Sequence, residues 1–152
     1  MLKCTEKLLN KAIKKSKSKY IVRVDSDDYV NENFLKLLVL HLELNNNLDA
    51  IACDYLMVDN DENVKKQKNC MLDPIACGIL FRTDQIIDIG LYDEEFLLHE
   101  EKDLRIRFLK KYKIDRLKLP LYRYRLHNNN NTKNLKKMSL HLKKLKKKHR
   151  IK

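Results

Sequence analysis

Apolar positions along this chain change period from helix to strand and back. Leu8, Leu9, Ala12 and Ile13 recur at helical spacing, which predicts a helix from Thr5 to Lys15 with one apolar face. Lys and Ser residues end it before a mostly apolar, β-branched run from Tyr20 to Val24, which predicts a buried strand. That strand runs straight into Asp25-Ser26-Asp27-Asp28, a set of turn formers. Asn31 or Asn33 then suits the N-cap of a second helix, which carries Phe34, Leu37, Leu38 and Leu42 and stops at Asn45-Asn46-Asn47. Its apolar content is nearly continuous, so it is expected to be well buried.

Asp49 to Val58 predicts a second strand, with Ile51, Cys53, Tyr55 and Met57 on one face and Ala52, Leu56 and Val58 on the other. Asn60 to Asn63 is a turn, and the polar stretch Lys65 to Asn69 is expected to be a mobile loop. Ile75 to Arg82, apolar around Gly78, fits a strand or a buried loop. Thr83 to Ile89 fits a short helix closed by Gly90. Glu100 to Tyr112 predicts a helix with Leu104, Phe108 and Tyr112 four residues apart, and Leu117 to Arg125 reads as extended around Pro120. Helices alternate with strands and no internal repeat intervenes, which argues an α/β sheet.

A length of 152 residues allows one domain with a core, and 43% hydrophobic residues is ordinary for it. No apolar run approaches the ~18 residues that cross a bilayer. The N-terminus lacks an apolar signal core, so no secretory leader and a cytoplasmic location are expected. Cys4, Cys53, Cys70 and Cys77 show no short paired spacing, and are expected to be free thiols in a reducing compartment.

The formal net charge of +12 is unevenly placed. No acid follows Asp115, and Lys133 to Lys152 alone holds ten Lys or Arg, so the preceding chain is close to balance. Residues 1–127 are therefore read as the domain and 128–152 as a basic tail. From Lys133 the tail can form a helix with Leu135, Met138, Leu142 and Leu145 on one side. Such a segment fits a solvated terminus, peripheral contact with an anionic membrane face, or nonspecific binding to nucleic-acid phosphates, the last being the least favoured.

The acids after the first strand carry the candidate chemistry. A strand that ends in carboxylates delivers them to one sheet edge, and such oxygens suit a hard divalent cation. A calcium loop is excluded: Tyr29 stands where an oxygen ligand belongs, Val30 where Gly belongs, and Lys36 where the closing Glu belongs. With two glycines in the whole chain, neither glycine-rich nucleotide fingerprint is present.

Val24-Asp25-Ser26-Asp27-Asp28, with its lead-in Ala12 to Val22, resembles the Asp-x-Asp region of family-2 glycosyltransferases. The likeness continues through Gly78-Ile79-Leu80-Phe81-Arg82, Ile89-Gly90-Leu91-Tyr92-Asp93-Glu94-Glu95-Phe96 and His99-Glu100-Glu101-Lys102-Asp103-Leu104. Pro120 to His127, followed by Asn residues and Thr132, is similar to the end of that family's catalytic region.

The resemblance implies a partial Rossmann-like GT-A fold, with a mixed sheet flanked by helices, whose first βαβ units would precede this chain. It implies inverting transfer of a sugar from a nucleotide-sugar donor to a saccharide or lipid-linked acceptor, in surface polysaccharide or glycolipid synthesis. Asp25, Asp27 and Arg125 would bind the donor, and Asp27 and His127 would hold manganese or magnesium. Glu101 would be the catalytic base, standing where the family has Asp; the carboxylate is kept but reaches one methylene further.

Other readings accompany each of these. Glu100 and Glu101 also suit a helix N-terminus through its dipole. Arg123 and Arg125 also suit the solvated face of an edge strand. As a whole, the chain could also be a truncated remnant that needs a partner chain, or a small basic nucleic-acid-binding protein.

Overall fold

Strand β3, Ala50–Val58, is the axis of the molecule. The computed structural model describes residues 5–96, 98–126 and 135–150. Before β3 come α1 (Thr5–Lys15), β1 (Tyr20–Val22), β2 (Tyr29–Val30) and α2 (Phe34–Leu44). After it come β4 (Val64–Lys68), β5 (Ile79–Arg82), α3 (Thr83–Asp88), α4 (Glu100–Leu109), β6 (Ile114–Arg125) and α5 (Leu135–His149).

These strands form one mixed sheet in the order β1-β5-β3-β6-β2, with β4 also paired to β3. β6 runs parallel to β3 along its whole length. On the other side, β5 pairs antiparallel with Ala50–Ala52 and β4 antiparallel with Tyr55–Val58. All of β3 except Leu56 and Met57 is buried, as expected for a strand covered on both faces.

The period of two sorts its side chains into two cores. Ala50 and Ala52 join Ile13, Phe81, Ile86, Phe108 and Ile114 beneath α1, α3 and α4. Ile51, Cys53 and Tyr55 join Phe34, Leu38, Leu42 and Tyr122 beneath α2. Edge-to-face ring pairs anchor each side, Phe81 on Phe108 at 5.0 Å and Phe34 on Tyr122 at 6.2 Å between centroids. Phe108 and Leu38 are fully buried, each worth about 1.5–3 kcal/mol relative to exposure.

Three local expectations change, and the interruption expected at Pro120 is found. Lys65 to Asn69, expected to be a mobile loop, instead falls mostly in strand β4, which is held to β3 by backbone pairing and by the Lys65–Asp59 ion pair at the β3 end while Val64 to Gln67 stay exposed. α2 is buried on one side only; Leu35, Leu40 and Leu44 face outward because the sheet covers a single stripe of it. β1 stops at Val22 rather than Val24. The ladder of β6 skips at Pro120, which faces Asp54 while Leu117 faces Cys53, so the residue without an N–H lies in an irregularity of the strand.

Polar contacts tie the periphery down. Buried Asn10 of α1 donates to the Tyr92 carbonyl at 2.9 Å and accepts from the Tyr92 N–H at 3.0 Å. Buried Asp54 accepts from Arg116 through two nitrogens, at 2.9 and 2.6 Å, and from the Cys70 N–H. α5 lies against the acidic turn ahead of α4: Leu145 is buried, Lys144 pairs with Glu95, and Lys148 pairs with Asp93 and Asp103. His149 Nε2 stands 2.8 Å from the same Asp103 oxygen, and Arg107 Nε donates to the other. No described helix is long and apolar enough to cross a membrane.

Candidate functional site

β1 and β5 pair antiparallel, Tyr20 opposite Arg82 and Val22 opposite Leu80, and this sets the exit of β1 beside Cys77 and Gly78. The Gly78 N–H donates to the Arg23 carbonyl at 3.3 Å. Gly78 has φ +74°, a left-handed conformation that costs any residue with a Cβ. The chain then turns, with the Asp28 N–H donating to the Asp25 carbonyl at 3.1 Å, and enters β2 against β6.

This turn converges the carboxylates of Asp25 and Asp28. One ligand atom from each, together with the Cys77 thiol, lies within 4.8 Å of the others. Tyr122, fully buried, fixes the pair: its hydroxyl accepts from the Asp25 N–H at 3.2 Å and donates to Asp28 Oδ2 at 2.7 Å. Arg125 closes the other side, its N–H donating to Asp28 Oδ1 at 2.9 Å and its Nε to the Asp27 carbonyl at 3.1 Å. Burial pushes the Asp28 carboxyl above its ordinary value, and the negative charges of Asp27 and Asp25 add to this. Burial likewise raises the Cys77 thiol and keeps it protonated.

The donor set fits a hard divalent cation through two carboxylates, which prefer magnesium or manganese; a protonated thiol is a poor third ligand. Asp27, exposed, is not a member of this cluster of three. His127, the other expected metal ligand, lies outside the described residues.

Arg23 spans the gap to α4. Its Nε donates to Asp25 Oδ1 at 2.7 Å and its Nη1 to Glu100 Oε1 at 3.2 Å. Burial opposes its charge, yet the Asp25 carboxylate holds its pKa above the usual arginine value. The first-motif acids and the N-terminus of α4 thus meet through one guanidinium. Glu101 follows on the inner side of α4, one quarter exposed, its carboxyl raised first by burial and then by the charge of Glu100. Buried His99 precedes them with φ +64°, its Nδ1 4.0 Å from Glu101 Oε1.

Asp25, Asp27 and Arg125 are therefore neighbours, and Glu101 stands next to the residue that Arg23 binds. Sequence reading counted Asp28 among the clustered acids without giving it a role of its own, and did not single out Cys77, Tyr122 or Arg23. Arg23 did carry a signal, as the one charged residue inside the run Ile21 to Val24.

The family model for glycosyl transferase family 2 matches residues 6–90, a span that includes Asp25, Asp27, Asp28 and Cys77 and stops short of Glu101. The fold is similar to the crystal structure of S. aureus TarS 1–349, with a TM-score of 0.66 and 20% identity over 79% of this chain and 40% of that one. It is similar also to the same protein in complex with UDP, with a TM-score of 0.66 and 17% identity over 92% of this chain and 45% of that one. The chain thus spans less than half the length of these solved structures. No curated protein matches it in sequence.

Proposed function

This chain belongs to glycosyl transferase family 2 and carries part of the GT-A fold, and on that premise we propose that it acts in sugar transfer from a nucleotide-sugar donor to an acceptor hydroxyl. The observation that carries this reading is the Arg23 bridge, which joins the Asp25–Asp28 carboxylates to the acidic start of α4. A uridine diphosphate donor is favoured by analogy with the TarS complex with UDP.

In this reading Asp25 and Asp28 would hold a magnesium or manganese ion, and the family likeness adds Asp27 and His127 as further ligands. Bound there, the ion would neutralise charge on the departing diphosphate. Arg125, beside the same carboxylates, offers guanidinium N–H groups to the diphosphate oxygens. Glu101 removes the proton of the acceptor hydroxyl as that oxygen bonds to the anomeric carbon. Its raised proton affinity suits a base, and attack on the face away from the leaving group inverts the sugar. Arg23 positions Asp25 and Glu100, and hence the two halves of the site, relative to each other. A saccharide or lipid-linked acceptor suits surface polysaccharide or glycolipid synthesis.

Calorimetric titration of the full chain with UDP, with and without manganese, tests this. Binding that needs manganese and is lost in Asp28→Asn is the expected result. UDP binding indifferent to both manganese and Asp28→Asn overturns the metal site, and turnover that survives Glu101→Gln overturns the base.

A further inference from the structure

Glu101 and Arg105 lie four residues apart on α4, so they share one face a single turn from each other. Against that face opens a narrow cavity of about 20 Å³, walled mainly by apolar groups of Pro74, Ile75, Ala76 and Tyr92, with both Glu101 and Arg105 in its lining. One water needs about 10–15 Å³ measured this way, so the cavity admits one or two oxygen atoms of an anion, with the rest of that group at its mouth, and no sugar ring.

Arg105 is anomalous within it. The other half-buried arginines around the two cores have oxygen partners: Arg23 has Asp25 and Glu100, Arg107 has Asp103, Arg116 has Asp54, and Arg82 and Arg123, which have no acid, donate to main-chain carbonyls. Arg105 has no acid within ion-pair distance among the described residues. Its Nη2 reaches only the Met71 sulfur at 3.5 Å, and its Nη1 is buried with no hydrogen-bond partner. Burial pulls its pKa below the usual arginine value, with no carboxylate to offset the effect. A buried donor on a charged group that goes unsatisfied costs free energy, and an oxyanion entering the cavity removes that cost. The planar fork of guanidinium donors matches carboxylate and phosphate oxygens.

We propose that this cavity is an anion subsite on the acceptor side, in which Arg105 pairs with a carboxylate or phosphate group carried by the acceptor and so holds the acceptor's hydroxyl at Glu101. The proposal rests on the reading of Glu101 as the base. The donor diphosphate is assigned elsewhere, to the Asp25–Asp28 turn and Arg125, which leaves Arg105 for the second substrate. A neutral acceptor seated there would desolvate Arg105 further without pairing it, so the site discriminates against it.

The test is an amide NMR titration of the full chain with methyl β-D-glucuronide, methyl β-D-glucoside and inorganic phosphate. One or both anions should shift the amides of Ile75, Ala76 and Lys102 to Arg105, and whichever does so identifies carboxylate or phosphate as the recognised group. Arg105→Gln should weaken that binding by about tenfold or more. The neutral glucoside should leave these amides in place. Equal binding of glucoside and glucuronide, silence of these amides toward both anions, or undiminished binding by Arg105→Gln overturns the subsite. Manganese-dependent UDP binding is measured on the same sample. Its presence without anion binding sinks the subsite alone; its absence beside intact anion binding sinks the sugar-transfer reading and the acceptor role with it.

Discussion

Arg23 and Glu100 are 77 positions apart in the chain and 3.2 Å apart in space. That one contact joins two families of acid that repel each other. Arg23 neutralises Asp25 on one side and Glu100 on the other, and Glu101, next along α4, stays at the margin of its influence.

The ionisation of Glu101 tests this arrangement directly. Burial raises its carboxyl above the ordinary 4.5, and the charge of Glu100 raises it further. A carboxyl raised in the folded state stabilises the fold fully below its unfolded pKa, and that contribution is lost as pH rises through the folded value. Glu100→Gln should therefore lower the Glu101 midpoint toward 4.5 and shrink the loss of stability above it. Carbon-13 titration of the glutamate carboxyls reads the midpoint; no movement, or movement upward, contradicts the assignment of cause.

Tyr122→Phe keeps the buried ring and removes the hydroxyl that serves both Asp25 and Asp28. The Asp28 carboxylate loses a donor that favours its charged form, so its pKa, already raised by burial, should rise further. A cost of about 1–3 kcal/mol is expected from the two lost partners. Urea unfolding measures it, and unchanged stability would show that water replaces the hydroxyl without penalty.

The docking of α5 predicts a pH signature. Asp103 is fully buried; burial alone would raise its carboxyl, but Lys148, His149 and Arg107 together hold it below the ordinary 3.8. A depressed carboxyl stabilises the fold above its unfolded pKa, and the gain is lost as pH falls through the folded value. The double substitution Lys148→Ala, His149→Ala should cost about 1–3 kcal/mol at pH 7, and the cost should shrink as pH falls below 3.8 toward the depressed value of Asp103. Urea curves at neutral pH and in that acid range decide; an equal loss at the two would assign the docking to Leu145 packing instead.

Much of the fold was readable in advance wherever period and punctuation agreed. α1 runs from Thr5 to Lys15 as the spacing of Leu8, Leu9, Ala12 and Ile13 predicts, and Gly90, at φ +86°, ends the turn after α3. β4 was not readable, because Val64-Lys65-Lys66-Gln67-Lys68 has no apolar alternation and joins the sheet through its backbone ladder rather than through a buried face. The outward leucines of α2 escaped for the opposite reason: composition reports how apolar a helix is, not how wide a stripe its sheet will cover.

The site divides similarly. Asp25 and Arg125 could be picked out by local pattern and family likeness. The pairing of Asp25 with Asp28 depends on the path of a turn, which no strand period governs. Arg23 to Glu100 and Asn10 to Tyr92 depend on strands and helices that meet only after folding, at separations of 77 and 82 residues.

Cys53, Cys70 and Cys77 are all buried free thiols, the first two pushed up to about 12. Thiolate is the form that alkylating reagents attack, so in the closed molecule these sulfurs are shielded twice, by sterics and by protonation. Each becomes reactive only when the strand or loop around it separates from its neighbours. Three natural labels, placed at the centre of β3 and in the segment leading to β5, thus act as stopwatches: the pace at which iodoacetamide consumes each one records how often that part of the sheet breathes.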